Sequence, residues 1–285
     1  MEVVKTSKEM TEWSESVRAD GLRIGFAPTM GCLHDGHLSL VRASRSTTDR
    51  TVASIFVNPT QFGPAEDFEK YPRVLDRDLD LLRHEGCDAV FAPGVSDIYP
   101  DGFRTCVEVT DLQDQLCGRS RPGHFRGVAT IVAKLFNIVR PHRAFFGQKD
   151  AQQVIILERM TRDLGFPVEI VVCPIIREPD GLAMSSRNTY LSPAERKEAT
   201  VLYRSLTDAV RLVRGGERSA AAIVKSVRRT IESTAGTRID YVELVDPQTL
   251  RPVAEIGPAS LLAVAVFVGT TRLIDNIVLG EGAAL

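Results

Sequence analysis

Up to about residue 187 the chain alternates short apolar runs with longer stretches in which apolar residues recur every third or fourth position. The runs have the length of buried strands, and the longer stretches read as amphipathic helices. Residues 22–27 form a first apolar run, and a helical pattern follows over about 36–46. Residues 51–57 are β-branched and apolar, and the turn signal Asn58-Pro59 closes them. Helical periodicity over 76–85 leads to a strand at 87–92. Val107 and Val109 alternate with polar neighbours, which predicts a half-exposed strand over 105–110. Helices are predicted over 127–139 and 151–164, with short strands at 144–146 and 168–176.

Strands separated by helices of this length require crossover connections and hence a largely parallel sheet. The expected fold class is therefore α/β, a Rossmann-like parallel-sheet domain over residues 1–187. Ligands of such sheets bind outside the carboxyl ends of the strands, where the crossovers diverge. After Asn188 the pattern changes. Ser192 is a candidate N-cap and Pro193 the first helical residue of a long helix to about Arg214, where Gly215-Gly216 intervenes. A second helix over 219–233 and strands at 239–245, 261–268 and 273–278 complete a smaller α+β domain over 188–285.

Composition narrows the function classes. A formal net charge of −2 supplies no general attraction to nucleic acid or to an anionic membrane. Residues 1–17 lack the apolar core of a signal peptide, and the longest apolar run, 261–268, is far too short to span a bilayer. The five cysteines, Cys32, Cys87, Cys106, Cys117 and Cys173, contain no C-x-x-C pair. They predict neither a disulfide framework nor a zinc site, but reduced thiols in a cytoplasmic protein.

The strongest chemical signal is Pro28-Thr29-Met30-Gly31-Cys32-Leu33-His34-Asp35-Gly36-His37, where a strand ends and a helix begins. A helix N-terminus offers unpaired N–H groups and partial positive charge to phosphate. Gly31 and Gly36 let a ligand approach the backbone. His34 and His37, three apart, share one face and can donate hydrogen bonds to phosphate oxygens as charge builds. Met184-Ser185-Ser186-Arg187 follows a turn at 177–181 and offers two hydroxyls and a guanidinium fork. In Gly147-Gln148-Lys149-Asp150 a lysine stands at a helix start, where the dipole disfavours cations unless an anion is bound. Gln61 and Gln153 can both donate and accept, which suits a hydroxy acid. The stretch from Arg119 to Arg126 reads either as a mobile basic flap or as a solvated connection. Asp76 and Asp78 read either as carboxylates at a helix start or as water-mediated magnesium ligands.

Taken in order, PTMGCLHDGH (28–37), IFVNPTQF (55–62), YPR (71–73), RPGHFRGVATIV (121–132), FFGQKDAQQ (145–153) and IIREPDGLAMSSRN (175–188) closely resemble the pantothenate synthetase family, the pantoate–β-alanine ligases. That resemblance implies a nucleotidyltransferase-like Rossmann domain, with His34-Asp35-Gly36-His37 similar to a HIGH element and Met184-Ser185-Ser186-Arg187 similar to a KMSKS loop. It implies an enzyme that converts pantoate and Mg-ATP to pantoyl adenylate and pyrophosphate, then lets β-alanine displace AMP. Met30 to His37 (Met30, Gly31, Cys32, Leu33, His34, Asp35, Gly36, His37) would line the ATP site. So would Gly147, Gln148, Lys149, Asp150, Ile176, Met184, Ser185, Ser186 and Arg187. His37, His34, Lys149 and Arg187 would carry catalysis, with His37 assigned by the resemblance as general acid. Because pyrophosphate is a good leaving group that needs charge neutralisation more than a proton, His37 is expected to act chiefly by hydrogen bonding. Gln61 and Gln153 would hold pantoate, and Gln61 would also meet β-alanine. Magnesium would accompany ATP, on ligands the sequence leaves unknown. The resemblance also implies a homodimer, with neither nucleic acid nor membrane as partner.

Two other readings fit parts of the pattern. A transferase moving AMP or CMP onto a phosphate-bearing substrate would use the same cradle, but Gln61 and Gln153 favour an acid with hydroxyls. A nucleotide-binding module without catalysis would bind ATP yet give no pantoate-dependent pyrophosphate exchange.

Overall fold

The computed structural model describes residues 1–64, 66 and 68–280. In chain order its first elements are β1 (Glu2–Val4), α1 (Ser7–Ala19), β2 (Ile24–Thr29), α2 (Asp35–Thr47), β3 (Arg50–Ile55), α3 (Leu75–His84), β4 (Ala89–Phe91) and α4 (Val95–Ile98). There follow α5 (Cys117–Ser120), α6 (His124–Val139), β5 (Arg143–Gly147), α7 (Ala151–Asp163) and β6 (Glu169–Cys173). The C-terminal elements are α8 (Pro193–Ala199), α9 (Val201–Arg214), α10 (Ala220–Glu232), β7 (Thr237–Val245), β8 (Ala259–Val268) and β9 (Thr271–Gly280).

Six strands form one parallel sheet in the order β1-β4-β3-β2-β5-β6. Phe26, Ala53, Val90 and Phe145, from β2, β3, β4 and β5, are fully buried. Leu38 and Val41, one helical turn apart on α2, close over this core. Strand succession runs outward from β2 through β3 to β4 on one side and through β5 to β6 on the other. The direction of winding therefore reverses between β2 and β5, which is the topological switch point. β2 pairs with β3 from Ile24 to Thr29, but with β5 at Gly25 and Phe26. The ladder between β2 and β5 ends at Phe26 and Ala144, short of the carboxyl ends of both strands, where ligands of such sheets bind.

Compactness divides the chain into two units. The first comprises Met1–Gln113, Arg121–Gln148 and Gln153–Pro174; the second comprises Asp114–Ser120, Lys149–Gln152 and the chain from Ile175 onward. Residues 175–187, assigned from sequence to the first domain, belong to the second unit. Leu182 joins its core, and Arg177 pairs with Asp275 on β9 at 2.7 Å. In that unit β7, β8 and β9 form an antiparallel sheet. Leu202, Leu206, Ala209 and Val210 of α9 and Ile223 and Val227 of α10 pack in the same core as Leu262, Val264 and Val266 of β8.

Three local expectations need correction or completion. Residues 105–110 form no strand, because the Val107 N–H donates to Thr130 Oγ1 on α6 at 2.9 Å instead of to a neighbouring strand. The single long helix after Ser192 is two, α8 and α9, joined at Thr200, whose hydroxyl donates back to the Lys197 carbonyl at 2.7 Å and tightens the turn. Its predicted start holds: Glu195 N–H donates to Ser192 Oγ, and Ser192 N–H donates to Glu195. The periodicity also passes over β1 and α1, although Thr6 and Glu9 form the same reciprocal cap. Among the described residues no helix is long and apolar enough to cross a membrane.

One histidine ties β2 to the strand beside it. The Ile24 N–H donates to His142 Nδ1 at 2.9 Å, which requires a neutral ring. Burial first, and the Arg18 and Arg23 cations second, hold His142 below the ordinary histidine range of about 6.5. A base whose folded pKa lies below its unfolded value adds stability that is complete above about pH 6.5 and declines as pH falls further. The denaturation midpoint is expected to drop between about pH 7.5 and about pH 5.5, with a smaller drop in His142→Gln. Parallel curves for the two proteins would refute this.

Candidate active site

The turn between β2 and α2 is shaped by side chains that take its backbone hydrogens. Gly31 N–H donates to Thr29 Oγ1 at 3.2 Å, and Cys32 and Leu33 N–H donate to the two carboxylate oxygens of Asp78 at 2.7 and 2.8 Å. Gly31 lies at φ +80° and Cys32 at φ +50°, left-handed conformations that the Asp78 bonds hold in place. Asp78 is 1% exposed. This replaces the magnesium reading of Asp78, whose oxygens are engaged by amides, whereas Asp76 stands exposed in the first turn of α3.

His34 is the N-cap of α2 and His37 lies in its first turn, as their spacing predicts. Their rings are 4.1 Å apart between centroids and tilted by 34°. The His34 N–H donates to His37 Nδ1 at 3.4 Å, which puts the neutral ring's proton on Nε2, as a donor. The amides of residues 31–33 are already taken, so the helix donors available to an anion begin at Asp35 and Gly36.

Gln61 occupies a short 3₁₀ turn, Pro59–Gln61, after β3. Its Nε2 donates to the Met30 thioether at 3.0 Å, and its Oε1 accepts from Asn58 Nδ2 at 3.1 Å. α6 crosses this turn at Gly127, where a Cβ would collide with the Thr60 carbonyl, so glycine is required. Within the stretch 119–126, Arg119, Ser120, Pro122, Gly123 and Arg126 are exposed, while Arg121 and His124 are half-buried and anchored. His124 Nδ1 donates to the Gln61 carbonyl at 2.8 Å, and Arg121 donates to Glu66 at 2.7 Å. Burial alone would raise the Glu66 carboxyl, but the Arg121 guanidinium brings it below its ordinary range. In the YPR segment Tyr71 is buried. Arg73, with Met30, Gly31, Ile55 and Asp78, lines a cleft of about 210 Å³.

Gly147 ends β5, and Gln148 begins the 3₁₀ turn into α7; both lie in the first unit with Gln153, which is half-buried. Lys149 and Asp150 lie in the second unit, with Lys149 Nζ 4.0 Å from Asp150 Oδ2. Asn276 of β9 donates to the Lys149 carbonyl at 3.0 Å. In the same unit residues 177–183 form a tight hairpin, with Arg177 donating to both oxygens of Asp275 and to the Gly181 carbonyl. Burial pushes the Asp275 carboxyl up, against the pull of Arg177. The Met184 N–H donates to the Ile176 carbonyl at 3.0 Å. Ser185 caps the 3₁₀ turn Ser186–Tyr190 by accepting from Arg187 N–H at 3.3 Å, which leaves the hydroxyl hydrogen as its donor.

The structure thus groups Met30 to His37 with Gln61 in the first unit and Lys149, Asp150 and the 176–187 segment in the second. Sequence reasoning missed Asp78 as an anchor of the turn, along with Asn58 and Tyr99 behind Gln61. For Asn58 the signal was present: an Asn two residues before a threonine is a side-chain turn signature. Among the described residues no group of three or more His, Cys, Asp or Glu is placed to hold a metal ion.

A parallel sheet of this order, with a histidine-bearing helix start at its switch point, defines a Rossmann-like nucleotide-binding α/β protein. The Pantoate-beta-alanine ligase family profile matches residues 2–278. The chain is 57% identical over 280 residues to a pantothenate synthetase of Thermotoga neapolitana, covering 98% of this chain and 100% of the relative. It is similar to a crystal structure of pantothenate synthetase from Thermus thermophilus, with TM-score 0.92 and 46% identity over 97% of this chain and 99% of that one. A pantoate–β-alanine ligase structure from Francisella tularensis, complexed with β-γ ATP and β-alanine, superposes with TM-score 0.80 at 33% identity, covering 97% of each chain. The chain belongs to the pantoate–β-alanine ligase family.

Proposed function

We propose that this enzyme joins pantoate to β-alanine in two steps at a site served by the turn between β2 and α2. In the first step a pantoate carboxylate oxygen attacks the α-phosphorus of ATP, the bond from that phosphorus to the bridging oxygen breaks, and pyrophosphate leaves. In the second step the β-alanine nitrogen attacks the acyl carbon, the carbon–oxygen bond to phosphate breaks, AMP leaves, and the amine loses a proton. No protein nucleophile is required, because the substrate carboxylate fills that role.

The residues have work that follows from charge. Negative charge grows on the equatorial phosphate oxygens and on pyrophosphate, and fixed donors lower that barrier. The Asp35 and Gly36 amides and the Nε2 hydrogen of His37 suit this task in the first unit. Lys149, the Ser185 and Ser186 hydroxyls and the Arg187 guanidinium suit it in the second. Gln61 presents an N–H to an oxygen of pantoate, and Gln153 is assigned to the same acid. Magnesium is assigned to ATP on the family resemblance, where it would supply charge neutralisation when bound. The same family reading gives a cytoplasmic homodimer, and all five cysteines stand as free thiols.

The observation that carries this reading is the donor set at the head of α2, above all the His37 ring, whose Nδ1 accepts from the His34 amide and so leaves Nε2 as its donor. Exchange of labelled pyrophosphate into ATP is expected to require pantoate and no β-alanine, with AMP release once β-alanine is added. Binding of ATP without pantoate-dependent exchange would leave a nucleotide-binding module in place of a ligase.

A further inference from the structure

Asn58 is 1% exposed, and each polar atom of its side chain has partners. Its Oδ1 accepts from the Tyr99 hydroxyl at 2.8 Å, from the Thr60 hydroxyl at 2.9 Å and from the Thr60 N–H at 3.4 Å. Its Nδ2 donates to Gln61 Oε1 and to the Gly127 carbonyl, both at 3.1 Å. The two faces of this amide are therefore unlike: two hydroxyls and a backbone N–H donate on one side, and carbonyl acceptors lie on the other. Rotated by half a turn, Asn58 would set its oxygen against two oxygens, which is repulsive in a buried site.

The consequence passes to Gln61. With its Oε1 held by Asn58, the group that Gln61 presents is N–H, and its partner in the structure is the Met30 thioether at 3.0 Å, a weak acceptor. A carboxylate or hydroxyl oxygen would replace that thioether with gain. We propose that Tyr99 is a positioning residue for the acid substrate, fixing the Asn58 amide through its hydroxyl and so obliging Gln61 to offer a donor and not an acceptor.

Tyr99 is well held for this purpose. Its ring packs against Phe103 at 5.1 Å and Phe56 at 6.3 Å between centroids, and Lys134 Nζ lies 5.9 Å from its centre. Burial raises its hydroxyl pKa above the ordinary tyrosine range, so the proton it donates stays in place at neutral pH. Phenylalanine at this position keeps the ring contacts and removes the shortest donor alone, leaving the Thr60 hydroxyl and the longer Thr60 N–H contact on Asn58 Oδ1.

The inference rests on the assignment of Gln61 to pantoate, so the experiment separates the two. Steady-state kinetics of the full chain are compared for Tyr99→Phe, Gln61→Ala and the double variant, with KM measured for pantoate and for ATP. Tyr99→Phe is expected to raise the KM for pantoate about tenfold, the size of one hydrogen bond misdirected, while the KM for ATP and the melting temperature stay near the parent values. In the Gln61→Ala background the same substitution is expected to add nothing, since the amide it orients is gone. The inference is overturned if Tyr99→Phe leaves the KM for pantoate unchanged, or if it adds the same factor with Gln61 absent. If Gln61→Ala itself binds pantoate normally, the assignment of Gln61 fails, and the role of Tyr99 falls with it.

Discussion

His37→Ala is expected to slow pantoate-dependent pyrophosphate exchange roughly 10²–10³-fold at saturating ATP and pantoate, the usual cost of removing one donor aimed at developing negative charge. The argument starts from the backbone. The His34 amide donates to His37 Nδ1 and so fixes the tautomer that carries its hydrogen on Nε2. Alanine removes that hydrogen and also the acceptor at the head of α2. Loss of a cap costs about 0.5–2 kcal/mol of stability, too little to unfold a domain of this size, so the rate and the melting curve report different things. Because the role is hydrogen bonding, His37→Gln is expected to recover part of the rate. A His37→Ala enzyme with parental turnover would remove this histidine from the mechanism.

Asp78→Ala carries the second large effect, and it reaches the same turn from α3. The change strands the Cys32 and Leu33 amides, which now donate to Asp78 at 2.7 and 2.8 Å. A buried donor left without its acceptor costs about 1–3 kcal/mol, so the buried Leu33 amide with a smaller share from the part-buried Cys32 amide predicts a loss of roughly 1–4 kcal/mol in urea unfolding. The left-handed backbone at Gly31 and Cys32 loses its restraint as well, and the KM for ATP should rise severalfold. Asp78→Asn is expected to recover little, because one of its two heads is itself a donor facing an N–H. Excess magnesium is expected to rescue neither variant. Rescue by magnesium, or an unchanged unfolding midpoint, would restore the metal-ligand reading that the geometry displaces.

Much of the architecture was legible in the chain because apolar runs and helical periodicity speak directly to burial. The runs now seen as β2, β3 and β5 are short and continuous, as strands covered on both faces must be. The alternation around Val107 misled because a buried residue under a helix leaves the same mark as one in a sheet: Val109 is 9% exposed without belonging to a strand. The positions of His34 and His37 were legible from spacing alone. Asp78 and Tyr99 were not, since each acts on residues about forty positions away, at 32–33 and at 58, and local pattern holds no information on such pairings. Strand order was likewise hidden, although the switch point between β2 and β5 depends on it.

The approach of Gly127 to the Thr60 carbonyl joins two stretches of main chain with no side chain between them. Such a seam has no rotamers to exchange, and the wall it forms behind Gln61 is correspondingly stiff. Against the Gln61 amide lies Met30, an unbranched thioether with three rotatable bonds. One side of the berth proposed for the acid is thus masonry and the other upholstery. Variants selected to admit a bulkier acid should accumulate changes at Met30 and leave the glycine seam untouched.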